Sequence, residues 1–193
     1  MPDTAAQYAA AHRACRSLFE RKMRDYGTAW RIMRLPSLTD QLYIKAKRVR
    51  QLDQGGENRV GEGIAGEFVA LVNYALLALV QDDLGGGADA HAGGSDGVGA
   101  PVELPHDVAL GYYDRASAEV RALMEAKNHD YGEAWRDMRV SSLTDLILMK
   151  LHRIKQIEDN AGATEVSEGV RGGYADIANY ALFALIKLGV GDA

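Results

Sequence analysis

The chain has 193 residues, with 22 Lys and Arg against 27 Asp and Glu, a formal net charge of -5, and 47% hydrophobic and 25% charged residues. These are globular proportions, so collagenous, purely coiled-coil and wholly disordered chains are excluded, and the length allows one domain or two small ones. The mild acidity disfavours a protein devoted to duplex nucleic acid, because non-specific phosphate binding needs a net basic face.

A single cysteine, Cys15, can form neither an internal disulfide nor a thiolate zinc site, which points to a reducing compartment. Small residues near the N-terminus are broken by Gln7, His12 and Arg13 and do not read as a signal peptide. The longest apolar stretch, Phe68 to Val80, is interrupted by Asn73 and falls short of the roughly 20 residues of a membrane span. A cytoplasmic protein without membrane contact is the expectation.

The sequence repeats itself. Residues 15–53 align with 120–158, and about half the positions are identical, among them Asp-Tyr-Gly-x-Ala-Trp and Ser-Leu-Thr-Asp. From Gly61 the match continues one residue further along, so the second copy carries one extra residue near Asn160 to Glu165. The copies predict units at 1–83 and 102–193, joined by a stretch at 84–101 whose Gly, Ala, Asp and Ser content marks a flexible linker.

In chain order, the apolar period predicts helices at about 5–25, 38–54 and 61–82, then at about 107–130, 143–159 and 166–188, with a short helical turn at Trp30 and at Trp135. Gly27 and Gly132 stand where the first helix of each copy needs a left-handed C-cap, and Ser37 and Ser142 are candidate N-caps of the second. The fold class is all-α. Three-helix units cover their apolar faces poorly alone, so the copies should pack as one pseudo-twofold helical bundle; two independent domains are the alternative.

Charged residues interrupt the apolar stripes at equivalent places. In the second helices the stripe reads Leu38, Leu42, Lys45, Val49 and Leu143, Ile147, Lys150, Ile154. A buried unpaired ammonium costs several kcal/mol, so each lysine needs a carboxylate or a phosphate beside it, unless it snorkels to the rim. Arg48 and Arg153 follow three residues on. The first helices run from Leu18 into Lys22 and Asp25, and from Leu123 into Lys127 and Asp130, while Glu20 and Glu125 point away from that stripe. Along the third helices lie Glu62, Gly66, Ala70, Asn73 and Glu168, Gly172, Asp176, Asn179. Asp176 reads either as the buried partner of Lys150 or, with Glu168 about two turns away, as part of a divalent-cation site. The copies differ here: Ala70 matches Asp176, and Glu67 matches Gly173. A metal site would therefore belong to the second copy or be composite.

These motifs, Lys-x-x-Asp-Tyr-Gly-x-Ala-Trp, Ser-Leu-Thr-Asp with Lys-x-x-Arg, and Glu-Gly followed by Asn-Tyr-Ala, resemble the nucleotide modification associated domain type 1 family in both copies. The resemblance implies a distant similarity to the all-α nucleoside triphosphate pyrophosphohydrolases, MazG-like and dimeric dUTPase-like, which hold Mg2+ on helix carboxylates. Of their usual acidic signatures, Glu-Glu-x-x-Glu is missing and Glu-x-x-Asp is split between Glu67 with Ala70 and Gly173 with Asp176.

The leading expectation is a Mg2+-dependent pyrophosphohydrolase acting on a nucleotide or related triphosphate. Asp130, Glu168, Asp176 and, ranked lower, Glu125 would hold the metal, with Lys150, Asp176 and Asp130 at the catalytic centre. Lys127, Arg153, Lys45, Arg48 and Lys22 would bind phosphate, and Tyr131 or Trp135 would stack on a base. The alternative is a module that binds a nucleotide without hydrolysing it, as a monomeric pseudo-dimer or a homodimer. A nucleic-acid strip of Lys45, Lys47, Arg48 and Arg50, echoed by Lys150, His152, Arg153 and Lys155, is disfavoured by the net charge. His129-Asp130 lacks the further ligands of a His-Asp metal site, the other histidines have no ligand spacing, and Cys15 reads as a small core residue.

Overall fold

The computed structural model describes residues 3–56, 63–85, 103–166 and 169–191. Six α-helices make up the described chain: α1 (Thr4–Tyr26), α2 (Leu35–Asp53), α3 (Ile64–Asp83), α4 (His106–Tyr131), α5 (Val140–Asp159) and α6 (Val170–Lys187), with short 3-10 turns at Ala29–Ile32 and Ala134–Asp137. No strand occurs among the described residues. The linker predicted at 84–101 lies outside them from residue 86 onward.

Local chemistry sets the helix ends. Asp3 caps α1, its carboxylate accepting the N–H groups of Ala5 and Ala6. At the other end Gly27 has φ 61° and ψ -144°, and Gly132 after α4 has φ 63° and ψ -160°. The predicted glycine stop is present, but ψ is far from the left-handed helical value, in a region that glycine alone enters without strain. Helices α2 and α5 begin earlier than predicted, because Arg34 and Arg139, not Ser37 and Ser142, are the cap residues. Ser37 and Ser142 already donate their N–H groups to the carbonyls of Arg34 and Arg139. Pro36 suits the first turn of α2, where a missing N–H costs nothing.

The central pair is α3 and α6. Helix α2 lies on α3 and α5 on α6, α2 and α5 meet each other, and α1 and α4 each span both central helices. Every helix thus packs on the other copy as well as its own, which is one bundle and not two independent domains. Leu38, Leu42, Phe68, Leu71, Leu79, Leu143, Ile147, Leu151, Tyr174 and Ile177 are fully buried in a single core, each apolar side chain contributing about 1.5–3 kcal/mol by leaving water. Helix α3 is apolar nearly all round and, contrary to the reading of 68–80, long enough by length and composition to cross a membrane; most of it is buried in the bundle.

Polar pairs repeat across the pseudo-twofold axis. The Tyr8 hydroxyl donates to Asn179 Oδ1 at 2.8 Å, and the Tyr113 hydroxyl to Asn73 Oδ1 at 2.7 Å. Each asparagine turns its amide to a carbonyl in its own copy, Asn73 to Cys15 and Asn179 to Val120. Burial pushes both phenols up, so they stay neutral donors. Outside, Arg50 meets Asp145 at 2.5 Å and Lys155 meets Asp40, the same bridge drawn twice. His12 and Ser117, equivalent positions of the two copies, hydrogen-bond to each other at 2.9 Å, so the axis passes between them.

Two measurements follow from these contacts. Asn179→Leu leaves the buried Tyr8 hydroxyl without its acceptor, and should lower the unfolding free energy in urea by about 2 kcal/mol. Glu158 accepts from Thr39 at 2.7 Å and from Tyr174 at 3.0 Å, and burial holds its carboxyl above the ordinary 4.5. A raised carboxyl contributes stability that is present below its unfolded value and lost as pH rises through its folded value. Denaturation profiles between about pH 4 and 8 should therefore fall less steeply with pH in Glu158→Gln than in the native chain.

Candidate functional site

Each copy places a cation from its first helix and one from its second beside its third helix, and the outcomes differ. In the second copy Asp176 of α6 lies between two ammonium groups, its Oδ1 2.5 Å from Lys127 Nζ and its Oδ2 2.5 Å from Lys150 Nζ. Asp176 is 7% exposed, and its burial is offset by two positive charges, Lys127 hydrogen-bonded to it and Lys150 paired with it. In the first copy Ala70 stands at that place, and the acid is Glu67, one helical turn earlier. Glu67 is 1% exposed and meets Lys45 Nζ and Arg48 Nε, both at 3.1 Å. Gly173, the counterpart of Glu67, packs under Ile154: an added Cβ would come 2.8 Å from Ile154 Cδ1, so that side chain would have to shift.

The two copies present clefts of different size at places that overlap only around Lys45 and Lys150 and the first turns of the third helices. The second copy keeps a polar hollow of about 260 Å3 around Lys150, Arg153, Gly172 and Asp176. The first copy has one of about 700 Å3, walled by Phe19, Tyr26, Trp30 and Tyr74, with Lys22 and Lys45 at its edge and Gly66 and Ala70 on its α3 side. A Cβ added at Gly66 would meet nothing within 4 Å, so that side is open. Tyr26 stands 56% exposed at the rim, its phenol raised by burial and by Tyr74 and Asp25, and stays protonated at neutral pH.

The residues expected to act in the second copy are only partly gathered. Lys127, Lys150 and Asp176 come together, and Arg153, exposed, lines the same hollow. Asp130 does not join them: its side chain is 71% exposed and pairs with His129 at 3.2 Å. Glu125 is drawn into an ordinary helical pair with Arg121 at 2.7 Å. Glu168 lies outside the described residues. Tyr131 is 77% exposed at the end of α4. Trp135 is not available for stacking on a base, because the Phe183 ring lies on it at 4.4 Å and 4° and the Arg136 guanidinium sits 4.4 Å from its centroid.

Among the described residues no three His, Cys, Asp or Glu side chains assemble as a metal cluster. Asp176 and Glu67 already face two cations each. A Mg2+ ion demands uncompensated oxygen donors, so the described residues do not fit one. In the proposed nucleic-acid strip Lys45 and Arg48 share Glu67, Arg50 meets Asp145, Lys155 meets Asp40, and Lys47 lies over the Tyr43 ring at 5.6 Å.

Sequence reasoning missed the first-copy cleft and the part played by Glu67. The signal was present, since residues 67 and 70 are one turn apart and share a helix face. Cys15 is buried, and burial pushes its thiol up to about 12, as suits an inert core residue. The two buried acids should differ in their mutational cost. Glu67→Gln should destabilise the fold by about 3 kcal/mol in urea, and Asp176→Asn by about half that, because Lys127, 48% exposed, can swing into water.

No curated protein and no solved structure matches the chain. A family model does, twice, over residues 22–81 and 127–188, spans that contain both lysine pairs and both buried acids. The chain belongs to the family described as Nucleotide modification associated domain 1, and carries that domain in two tandem copies.

Proposed function

We propose that this protein binds a nucleotide in the cleft of its first copy and does not hydrolyse it. The observation that carries the reading is the combination there of apolar aromatic walls with two lysines at one edge, in a volume of about 700 Å3. Ligand sites are typically concave, mostly apolar and fitted with a few placed polar groups, and a nucleotide offers one flat apolar face and one anionic end. The family's description, with nucleotide in its name, supports the same class of ligand.

The hydrolase expectation came from the resemblance to metal-dependent pyrophosphohydrolases. It requires carboxylates free to take Mg2+, whereas Asp176 and Glu67 are each committed to two cations. Binding without turnover asks less of the residues in place. We read the chain as a cytoplasmic monomer whose two copies form a pseudo-dimer, with the larger cleft as its working half.

Calorimetry with a panel of nucleoside mono-, di- and triphosphates should detect binding in EDTA. Lys22→Ala should weaken it several-fold, and phosphate and pyrophosphate release should stay at background with Mg2+ added. Mg2+-dependent release that disappears in Asp176→Asn would overturn this reading in favour of hydrolysis.

A further inference from the structure

The second copy contains, in its own side chains, what the first copy leaves for a ligand. Two substitutions separate the clefts on one face of the third helix. Ala70 in α3 corresponds to Asp176 in α6, and Leu77 to Phe183. Asp176 places a two-oxygen anion between Lys127 and Lys150. Phe183 places a flat ring on Trp135, nearly parallel, with centroids 4.4 Å apart. In the first copy the corresponding lysines, Lys22 and Lys45, line the cleft with Ala70, and Trp30 lines it with Leu77. The first cleft, with Ala and Leu at these places, is about 700 Å3; the hollow of about 260 Å3 beside Asp176 opens on the side of Arg153 and Ile157 and is lined by neither Trp135 nor Phe183.

From this correspondence we infer that Asp176 and Phe183 are internal stand-ins for the two ends of the ligand, and that they map its subsites in the first copy. The anion subsite lies between Lys22 and Lys45 over Ala70. The ring subsite lies against Trp30 beside Leu77. The two marking residues are seven apart on a helix, so the subsites are separated by about 10 Å along the axis. The ligand class is a planar aromatic group joined to a compact oxyanion, a carboxylate or phosphomonoester held by two ammonium groups. A nucleoside monophosphate meets that description, while an extended polyphosphate presents more charge than two lysines answer. This mapping rests on the reading of the first cleft as a nucleotide site and narrows it.

The test transplants each marker. Ala70→Asp and Leu77→Phe give the first copy the residues its counterpart already accommodates, and cooperative thermal unfolding checks that both variants fold. The probes are inorganic phosphate and a nucleoside monophosphate, followed by calorimetry. The native chain should bind one phosphate, displaced by the monophosphate. Ala70→Asp should weaken both probes at least about tenfold, since like charges brought together oppose binding, whereas the isosteric Ala70→Asn should weaken them less than about threefold, the charge being what is tested. Leu77→Phe should weaken the monophosphate and spare inorganic phosphate. Asp176→Ala, which removes the stand-in, should raise the phosphate stoichiometry from one to two.

If the monophosphate binds but Ala70→Asp and Leu77→Phe bind it as the native chain does, the subsite map is wrong and the nucleotide reading stands. Equal losses in Ala70→Asp and Ala70→Asn overturn the ionic subsite. Phosphate binding that follows the expected pattern without any binding of nucleotide upholds the anion subsite and removes the nucleotide. Binding of neither probe by the native chain overturns both.

Discussion

An ammonium group set into the apolar stripe of a packed helix must find a negative charge, and that requirement organises this molecule. Lys45 and Lys150 stand at the same place in their copies, half-buried, and neither can be left unpaired without a cost of several kcal/mol. The bundle meets the demand twice with different residues. In the first copy the acid comes from position 67, and in the second from the counterpart of position 70, one turn further along the neighbouring helix. The shift of a single turn decides which cations are drawn in. Glu67 reaches Arg48 with Lys45 and leaves Lys22 aside, whereas Asp176 gathers Lys127 with Lys150. The difference in pairing between the two copies begins there.

The rest of the scaffold is held symmetric while this one feature diverges. Tyr8 with Asn179 and Tyr113 with Asn73 tie the outer helices of each copy to the central helix of the other. Buried hydrogen bonds of this kind contribute modestly to stability, yet leaving either partner alone is expensive, so they fix how the copies sit. The apolar contacts between α3 and α6 are non-directional and would tolerate sliding; the paired Tyr–Asn bonds would not. A duplicated chain can then alter one half of its pseudo-dimer without altering the other, which identical subunits cannot do.

Most of the fold was readable from the sequence because repetition and helical periodicity are both long-range patterns. Six helices, their pairing by copy and the short turns at Trp30 and Trp135 are all visible there. Helix starts were less so. Ser37 and Ser142 have the chemistry of caps, but the extended Arg34 and Arg139 precede Leu35 and Val140 and the helices begin there, so a side-chain preference worth about 1 kcal/mol gave way to the chain's entry geometry. In the site, the inward lysines and the partner Asp176 could be placed by spacing alone. Trp135 could not be judged, because its stacking on Phe183 joins the 3-10 turn to the last turns of α6, a contact between residues 48 positions apart in the sequence. Asp130 and Glu125 misled for the opposite reason: acids near a stripe edge lean into water or toward the nearest arginine, here His129 and Arg121 as neighbours.

The first cleft also constrains how a ligand would be held. Lys22 is exposed and Lys45 already shares its charge with Glu67, so neither ammonium is a strong isolated attractor. An exposed charge pair is worth at most about 1 kcal/mol in water. The lysines can therefore orient an anion and speed its arrival, but they cannot supply the bulk of the affinity. That share falls to the apolar wall of Phe19, Trp30 and Tyr74, where covering each 100 Å2 of apolar surface contributes about 2.5 kcal/mol. A ligand with the anion but without the ring would bind at the lysines less tightly than the whole, and one with the ring but without the anion would bind in more than one orientation. Recognition in this cleft thus divides into affinity from the aromatic side and register from the lysine side, which is the division a nucleotide, with one flat and one charged end, is shaped to satisfy.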